Sequence, residues 1–123
     1  MPGRGAPGGA PGTGAPAGAS GGTAPGDFGG LVLELVADIP PGCVLSYGDV
    51  AAMLGSRAAR AVGTVMARSG GTVPWWRVVR ADGSPPVGHA ERALPRYEDE
   101  GTLLRPGGPA GYRIDLAAAR WRR

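Results

Sequence analysis

The chain has 123 residues, a formal net charge of +3, 24 Gly and 13 Pro. Residues 1–26 contain ten Gly, six Ala and five Pro, and Arg4 is their only charged side chain. Because such a segment buries too little apolar surface to offset the entropy of ordering it, we predict a disordered tail. Residues 27–123 suffice for one small domain, which excludes a two-domain enzyme, a repeat array and a Rossmann-sized cofactor fold.

Residue types that form disulfides or hold metals are scarce in this chain. One cysteine, Cys43, excludes an internal disulfide, and one histidine, His89, argues against a zinc site built from protein ligands alone. We therefore expect no metal and no cofactor. No apolar run approaches the ~20 residues that span a bilayer, and residues 1–26 lack the apolar centre of a signal peptide. We expect a cytoplasmic protein that does not act at a membrane.

Charge is unevenly distributed along the predicted domain. Residues 27–55 carry four acids and no base, whereas residues 56–80 carry five Arg and no acid. Such a basic block is typical of a surface that binds a polyanion. A solvated surface stretch would have the same composition, so composition alone leaves both interpretations open.

The first predicted elements are two helices separated by a proline-rich turn. The apolar residues of the first helix fall at helical spacing: Phe28, Leu31, Val32, Leu35 and Val36. Pro40 and Pro41 prevent this helix from continuing. Ser46 and Asp49 then have the spacing of a capping box for a short second helix, and Gly55 suits the position just after its end.

Residues 57–67 are predicted to form a third helix that completes a helix-turn-helix, with Ser56 as its cap. The small side chains of this helix share an inner face: Ala58, Ala61, Val62 and Val65. The polar side chains share an outward stripe: Arg57, Arg60, Thr64 and Arg68. Two short helices joined by a glycine also occur in proteins that never contact DNA, so the pattern alone does not establish DNA binding.

The second half of the domain is predicted to contain short extended segments and two helical pieces. Val78 and Val79 favour a strand, and Asp82-Gly83 favours a turn. We further predict a loop over residues 84–89, a helix over residues 95–100 ended by Gly101, a strand over residues 112–116, and a terminal turn capped by Asp115. The fold class is mainly α: a small winged-helix-like helix-turn-helix domain with short extended segments, preceded by the disordered tail.

Three sequence motifs lie in a fixed order along this domain. They are PPGCVLSYGDVA at residues 40–51, AARAVG at residues 58–63 and PWWRVV at residues 74–79, and Glu100-Gly101 with Leu103-Leu104 follows them. This order resembles the DNA-binding domain of the O6-alkylguanine-DNA alkyltransferase family, across residues 28–104. In that family, the cysteine of a Pro-Cys-His-Arg signature takes the alkyl group from the guanine O6 atom, and the histidine and a glutamate activate it.

The catalytic signature of that family is altered in this chain. By the resemblance, Trp75 stands at the cysteine position, Trp76 stands at the histidine position, and Glu100 is retained. An indole cannot replace a thiolate as the nucleophile and alkyl carrier. The resemblance is therefore to the alkyltransferase-like branch, which binds alkylated guanine without repairing it, and we expect no enzyme activity. That branch commonly changes only the cysteine, so Trp76 departs from it.

The resemblance also implies partners and roles for particular residues. The partner would be double-stranded DNA containing O6-alkylguanine, bound by a nucleoid-associated monomer that hands the lesion to nucleotide excision repair proteins. Arg60 would enter the base stack from the minor groove, and Tyr47 would push on the phosphate beside the extruded nucleotide. The DNA-binding surface would comprise Tyr47, Arg57, Ala58, Arg60, Ala61, Thr64 and Arg68. The lesion pocket would comprise Tyr47, Trp75, Trp76 and Glu100.

Several alternatives remain open at the level of sequence. Arg77 either contacts a phosphate or ties its segment to a neighbouring carboxylate. The whole protein could be a helix-turn-helix regulator without lesion specificity, or an active alkyltransferase that uses Cys43. It could also be a protein-interaction module in which Trp75 and Trp76 anchor a partner. Operator selection, adduct mapping and partner binding would distinguish these functions.

Overall fold

The computed structural model describes residues 25–122, so most of the predicted tail lies outside the described part of the chain. The described residues from Leu31 onward form one compact unit. The elements are α1 (Pro25–Asp38), β1 (Leu45–Ser46), α2 (Tyr47–Met53), α3 (Ala59–Ser69), β2 (Val78–Val79), α4 (Ala90–Glu100), β3 (Leu104–Pro106), β4 (Tyr112–Ile114) and α5 (Leu116–Ala119), with 3₁₀ turns at Gly70–Thr72 and Trp75–Arg77. The chain is mostly helical, as predicted.

Helix α1 begins at Pro25, inside the segment predicted as a tail, and ends at Asp38, just before the two prolines. Its residues Val32, Leu35 and Val36 are buried, as their helical spacing predicts. Leu31 is 44% exposed, so the prediction that it belongs to the buried stripe is wrong. It lies at the edge of the apolar face.

The capping box at the start of α2 is confirmed. The Ser46 hydroxyl accepts a hydrogen bond from the Asp49 N–H at 3.0 Å, and the Asp49 carboxylate accepts one from the Ser46 N–H at 2.9 Å. These two bonds satisfy backbone donors that the first turn of a helix leaves without partners. Gly55 follows the helix with φ of +74°, the left-handed conformation that glycine adopts most readily. The cap therefore fixes the backbone position of Tyr47, the first residue of α2.

Helix α3 starts at Ala59, two positions later than predicted. The Ser56 hydroxyl accepts from the Ala58 N–H at 3.0 Å, so it holds the turn before the helix rather than the helix itself. Ala58 therefore precedes α3 and is exposed, and its predicted place on the inner face is wrong. Val62 is fully buried and forms the centre of that face.

The strands of the described residues form two small sheets of two strands each. Strand β1 pairs in parallel with β2, with Leu45 opposite Val78, and β3 pairs with β4 as an antiparallel hairpin. Strands β1 and β3 were not predicted, because two- and three-residue strands carry no periodic signal. Among the described residues, none of the helices is long and apolar enough to cross a membrane.

Helix α4 is longer than the sequence predicts. It begins at Ala90 rather than at residue 95, and Pro95 lies inside it. The first turn forms upstream, where the Ala93 N–H donates to the His89 carbonyl at 2.9 Å, and a proline further along removes only one such bond. Gly101 ends the helix with φ of +70°, as predicted.

The turn between α3 and β2 packs against a buried cluster that includes residues of α4. The buried members of the cluster are Val44, Val79, Ala93, Tyr97, Ile114 and Ala119. Trp75 and Trp76 pack against this cluster and remain partly exposed. The Tyr97 hydroxyl donates to the Trp76 carbonyl at 2.5 Å, and burial raises the pKa of Tyr97 so that the hydroxyl keeps its proton. Tyr97 therefore fixes the backbone that carries both tryptophans.

Candidate functional site

Tyr47 and Trp75 line the same cavity, which has a volume of about 910 Å³. Tyr47 reaches it from the start of α2, and Trp75 reaches it from the 3₁₀ turn before β2. The other walls come from α3, from the segment after β2 and from the start of α4; they include Ala59, Gly63, Arg80, Val87, His89 and Arg92. Two of the four predicted pocket residues therefore converge, although 28 positions separate them in the sequence.

The ring of Trp75 has three close neighbours. The Trp76 ring meets it edge to face at 5.6 Å between centroids, and the His89 ring lies at 5.4 Å. The Cζ atom of Arg92 lies over the Trp75 ring at 5.2 Å from its centroid, a cation–π contact. Arg92 Nη2 also lies 2.7 Å from His89 Nδ1. Because a guanidinium has donors only, the His89 nitrogen accepts this bond.

Sequence reasoning did not find the Arg80, His89 and Arg92 part of this cavity. His89 was considered only as a metal ligand, and Arg92 fell outside the predicted helix. His89 and Arg92 were missed because α4 starts earlier than predicted, and this early start brings their side chains to the cavity rim. In the described residues, no group of three or more His, Cys, Asp or Glu side chains could hold a metal ion.

Burial changes the acidity of Tyr47. The surrounding protein raises the pKa of its hydroxyl above 10.0, and the nearby positive charge of Arg80 opposes this rise. The hydroxyl is therefore neutral at physiological pH. A neutral phenol beside a basic side chain can approach a phosphate without adding a like charge.

The predicted outward stripe is exposed in the structure: Arg57, Arg60, Thr64 and Arg68. Arg60 itself does not line the cavity, but Ala59 and Gly63, on the same helix, do. Ala58 is exposed and Ala61 is half-buried beside it. The structure therefore places a basic helix with small side chains directly beside the opening shared by Tyr47 and Trp75.

Glu100 lies in a separate polar network and is not in the lining of this cavity. Its carboxylate accepts two bonds from Arg77, at 3.1 Å from Nε and 2.5 Å from Nη2. It also accepts the Trp76 indole N–H at 3.0 Å and the Gly42 backbone N–H at 3.2 Å. Arg77 donates its remaining Nη1 to the Ile39 carbonyl at 2.7 Å. Arg77 thus ties its segment to a carboxylate, the second of its two predicted roles.

The ionisation of Glu100 follows from these four hydrogen bonds. Burial alone would raise the pKa of its carboxyl, but the bonds from Arg77, Gly42 and Trp76 outweigh burial and hold the pKa below its usual 4.5. The side chains of Arg77 and Glu100 are only 13% and 12% exposed. The carboxylate is therefore charged, paired and saturated, and it is committed to holding the turn in place.

Trp76 and Cys43 also lie apart from the cavity. Trp76 lines a second, open cavity of about 450 Å³, which Trp75 also borders, and Arg96 Cζ lies 4.5 Å from the Trp76 ring centroid. Cys43 is half-buried in the turn before β1, where its N–H donates to the Pro40 carbonyl at 3.1 Å. It lines neither cavity.

Comparison with known proteins identifies similar folds and sequences. The family model described as the DNA-binding domain of 6-O-methylguanine DNA methyltransferase matches residues 27–102. A DNA base-flipping protein of Escherichia coli K12 is 42% identical over 98 residues, which cover 73% of this chain and 70% of that protein. A bifunctional methyltransferase/endonuclease of Picrophilus torridus is 43% identical over 54 residues, 42% of this chain and 18% of that protein.

A solved structure of S. pombe Atl1, in complex with damaged DNA containing O6-carboxymethylguanine, has a TM-score of 0.69 to this chain at 30% identity. The match covers 80% of this chain and 97% of that one. The matched family region contains α2, α3 and the Trp75–Arg77 turn, so it includes both the helix-turn-helix and the cavity. The chain therefore belongs to the 6-O-methylguanine DNA methyltransferase family, in its alkyltransferase-like branch.

Proposed function

We propose that this protein recognises O6-alkylguanine in duplex DNA by extruding the damaged nucleotide and holding its base against Trp75, without transferring the alkyl group. The observation that carries this proposal is the cavity that Tyr47 and Trp75 share beside α3. The relatives support it, because one is a DNA base-flipping protein and another is bound to DNA containing an alkylated guanine.

Extrusion needs a group that replaces the base and a surface that accepts it. Unstacking a nucleotide costs a few kcal/mol, and stacking on an aromatic ring returns ~1–3 kcal/mol per base. We assign the first role to Arg60, which is exposed on α3, and the second to Trp75. Tyr47 acts on the phosphate beside the extruded nucleotide. An alkylated guanine has lost its N1–H and gained an apolar group, so an indole wall favours it over guanine.

The remaining residues on α3 and just before it fit a helix that approaches the minor groove closely. Ala58 and Ala61 keep the surface beside Arg60 small, which a narrow groove requires. Arg57, Thr64 and Arg68 are exposed and are proposed as backbone contacts that give affinity without sequence information. A regulator that reads an operator would have no use for a cavity of about 910 Å³ beside this helix.

The absence of alkyl transfer is proposed from the residues at the site. By the resemblance, Trp75 replaces the nucleophilic cysteine and Trp76 replaces the histidine that activates it. The thiol of Cys43 is not in the cavity lining, and the Glu100 carboxylate is saturated by Arg77, Trp76 and Gly42. Hand-over of the bound lesion to nucleotide excision repair is supported by the resemblance alone.

The proposal is tested by equilibrium binding to two duplexes that differ only in one base, O6-methylguanine or guanine. We expect tighter binding to the lesion duplex and an unchanged intact mass of the protein after incubation. Arg60→Ala and Tyr47→Ala should each reduce the lesion affinity about tenfold, as expected for losing an interaction of ~1.4 kcal/mol. Arg96→Ala is the matched control, since Arg96 is exposed on α4 away from α3.

Three results would contradict this proposal. Equal affinity for the two duplexes would remove lesion recognition. An alkyl adduct on any residue would show that the protein is a transferase, and an adduct on Cys43 would identify the nucleophile. Unchanged lesion affinity in both the Arg60 and Tyr47 variants would remove the extrusion mechanism.

A further inference from the structure

The cavity that Trp75 lines is electrostatically one-sided. Its ionisable lining residues in the described part of the chain are Tyr47, which is neutral at physiological pH, His89, Arg80 and Arg92, with no carboxylate among them. The O6 substituent of a base held in this cavity would therefore meet hydrogen-bond donors and positive charge. This is more than a methyl group needs, because an apolar substituent gains nothing from a guanidinium.

Arg92 is held in place within this lining. Its Cζ atom lies over the Trp75 ring at 5.2 Å, and its Nη2 atom bonds to His89 Nδ1 at 2.7 Å. The ion pairs of the described residues involve Arg77, Arg105 and Arg120, so no carboxylate neutralises Arg92. These two contacts hold the guanidinium itself in place, and it keeps its charge and further donors for a ligand.

Arg80 contributes less to this positive charge than Arg92 does. It is exposed at the rim, and Asp82 is nearby: hydrogen bonds from Ser84, and to a smaller extent the charge of Arg80, lower the pKa of the Asp82 carboxyl. Part of the field of Arg80 is therefore compensated on the protein. Arg92 has no such neighbour among the charged contacts of the described residues.

We propose that the cavity selects O6-alkylguanine adducts whose alkyl group ends in a carboxylate, and that Arg92 is the residue that determines this selectivity. A guanidinium matches a carboxylate geometrically and forms charge-assisted hydrogen bonds with it, which are stronger than those to a neutral group of the same shape. The contact with Trp75 places this guanidinium beside the ring proposed to hold the base. This inference deepens the proposed function and rests on it.

The test compares two adducts that have the same size and differ in charge. One duplex carries O6-carboxymethylguanine and the second carries O6-carbamoylmethylguanine, in which an amide replaces the carboxylate; a third carries guanine. We expect wild-type protein to bind the carboxylate duplex about tenfold more tightly than the amide duplex, as a charge-assisted hydrogen bond implies. Arg92→Gln should abolish this ratio, and Arg92→Lys should retain part of it because the charge remains.

Arg96→Gln is the matched control for Arg92→Gln. Both arginines are exposed on α4 and each lies over a tryptophan, but Arg96 contacts Trp76 and is not in the lining of the Tyr47–Trp75 cavity. Both variants lose one positive charge, so each should weaken binding to the guanine and amide duplexes to a similar extent. Only the Arg92 variant should change the carboxylate-to-amide ratio, and unchanged melting temperatures will verify that both variants fold.

The outcomes separate this inference from the proposed function. If both alkylated duplexes bind more tightly than the guanine duplex but equally to each other, lesion recognition stands and the selectivity for carboxylates is wrong. If the selectivity persists in Arg92→Gln, Arg92 does not determine it. If neither alkylated duplex is preferred over guanine, the proposed function itself fails.

Discussion

Trp75 and Trp76 are consecutive residues in one turn and pack against the same core, yet their surroundings differ. Trp76 belongs to a polar network: its N–H donates to Glu100 at 3.0 Å, and the guanidinium groups of Arg77 and Arg96 both lie over its ring. Trp75 lines the larger cavity, where Arg92 and His89 are its polar neighbours.

The two regions differ in whether their polar side chains are paired with other groups of the protein. In the Trp76 region, the carboxylate of Glu100 accepts four hydrogen bonds, and Arg77 is paired and mostly buried. A network of this kind rigidifies a fold, because a buried polar group that loses its partner is costly. In the Trp75 region, the hydrogen-bond donors Arg80 and Arg92 line a cavity whose lining contains no carboxylate. Two consecutive residues therefore have different surroundings, and the proposed function assigns the ligand to Trp75 alone.

The largest expected effect is a loss of stability when the hydrogen-bond network around Trp76 is disrupted. Arg77→Met leaves the Glu100 carboxylate with its charge mostly buried and with only the Trp76 and Gly42 donors, and we expect a stability loss of about 3 kcal/mol. Arg96→Met, on the exposed side of the same ring, should change stability by less than about 0.5 kcal/mol. Urea unfolding of both variants measures the difference. Similar small losses in the two variants would mean that the network does not stabilise the turn.

A smaller effect concerns the pH dependence of the same region. Hydrogen bonds hold the pKa of Glu100 below its unfolded value of 4.5, so its contribution to stability is fully present above that value. The contribution is lost as the pH falls through the lower pKa of the folded protein. Glu100→Gln cannot titrate, so its stability should change less than that of wild type between about pH 7 and about pH 3. Parallel pH profiles for the two proteins would contradict this linkage.

Features that depend on neighbouring residues could be predicted from the sequence. The capping box of Ser46 and Asp49, the left-handed glycines Gly55 and Gly101, and the Asp115 cap of α5 each involve residues within a few positions. The outward arginine stripe of α3 follows from helical periodicity in the same way. Local backbone chemistry decides these features, and distant contacts do not override it.

Features that depend on distant partners could be predicted only where the family resemblance supplied them, as for Tyr47 and Trp75 in one cavity. The contact of Glu100 with Gly42 joins residues 58 positions apart, and its contact with Arg77 joins residues 23 positions apart. The family resemblance grouped Trp76 and Glu100 with the lesion pocket. In the structure they bond to each other within the Arg77 network, and neither lines the cavity of Tyr47 and Trp75. The rim residues His89 and Arg92 carried no motif at all. Only the path of α4 brings them to Trp75.

The most direct test of the account measures how strongly each tryptophan contributes to lesion discrimination. Affinities for an O6-methylguanine duplex and for its guanine counterpart are compared in wild type, Trp75→Ala and Trp76→Phe. We predict that the affinity ratio falls about tenfold in Trp75→Ala, as the loss of one stacked base implies. We predict that it is unchanged in Trp76→Phe, which keeps an aromatic ring and loses the bond to Glu100. An equal loss of affinity for both duplexes in Trp75→Ala, leaving the ratio intact, would contradict the account.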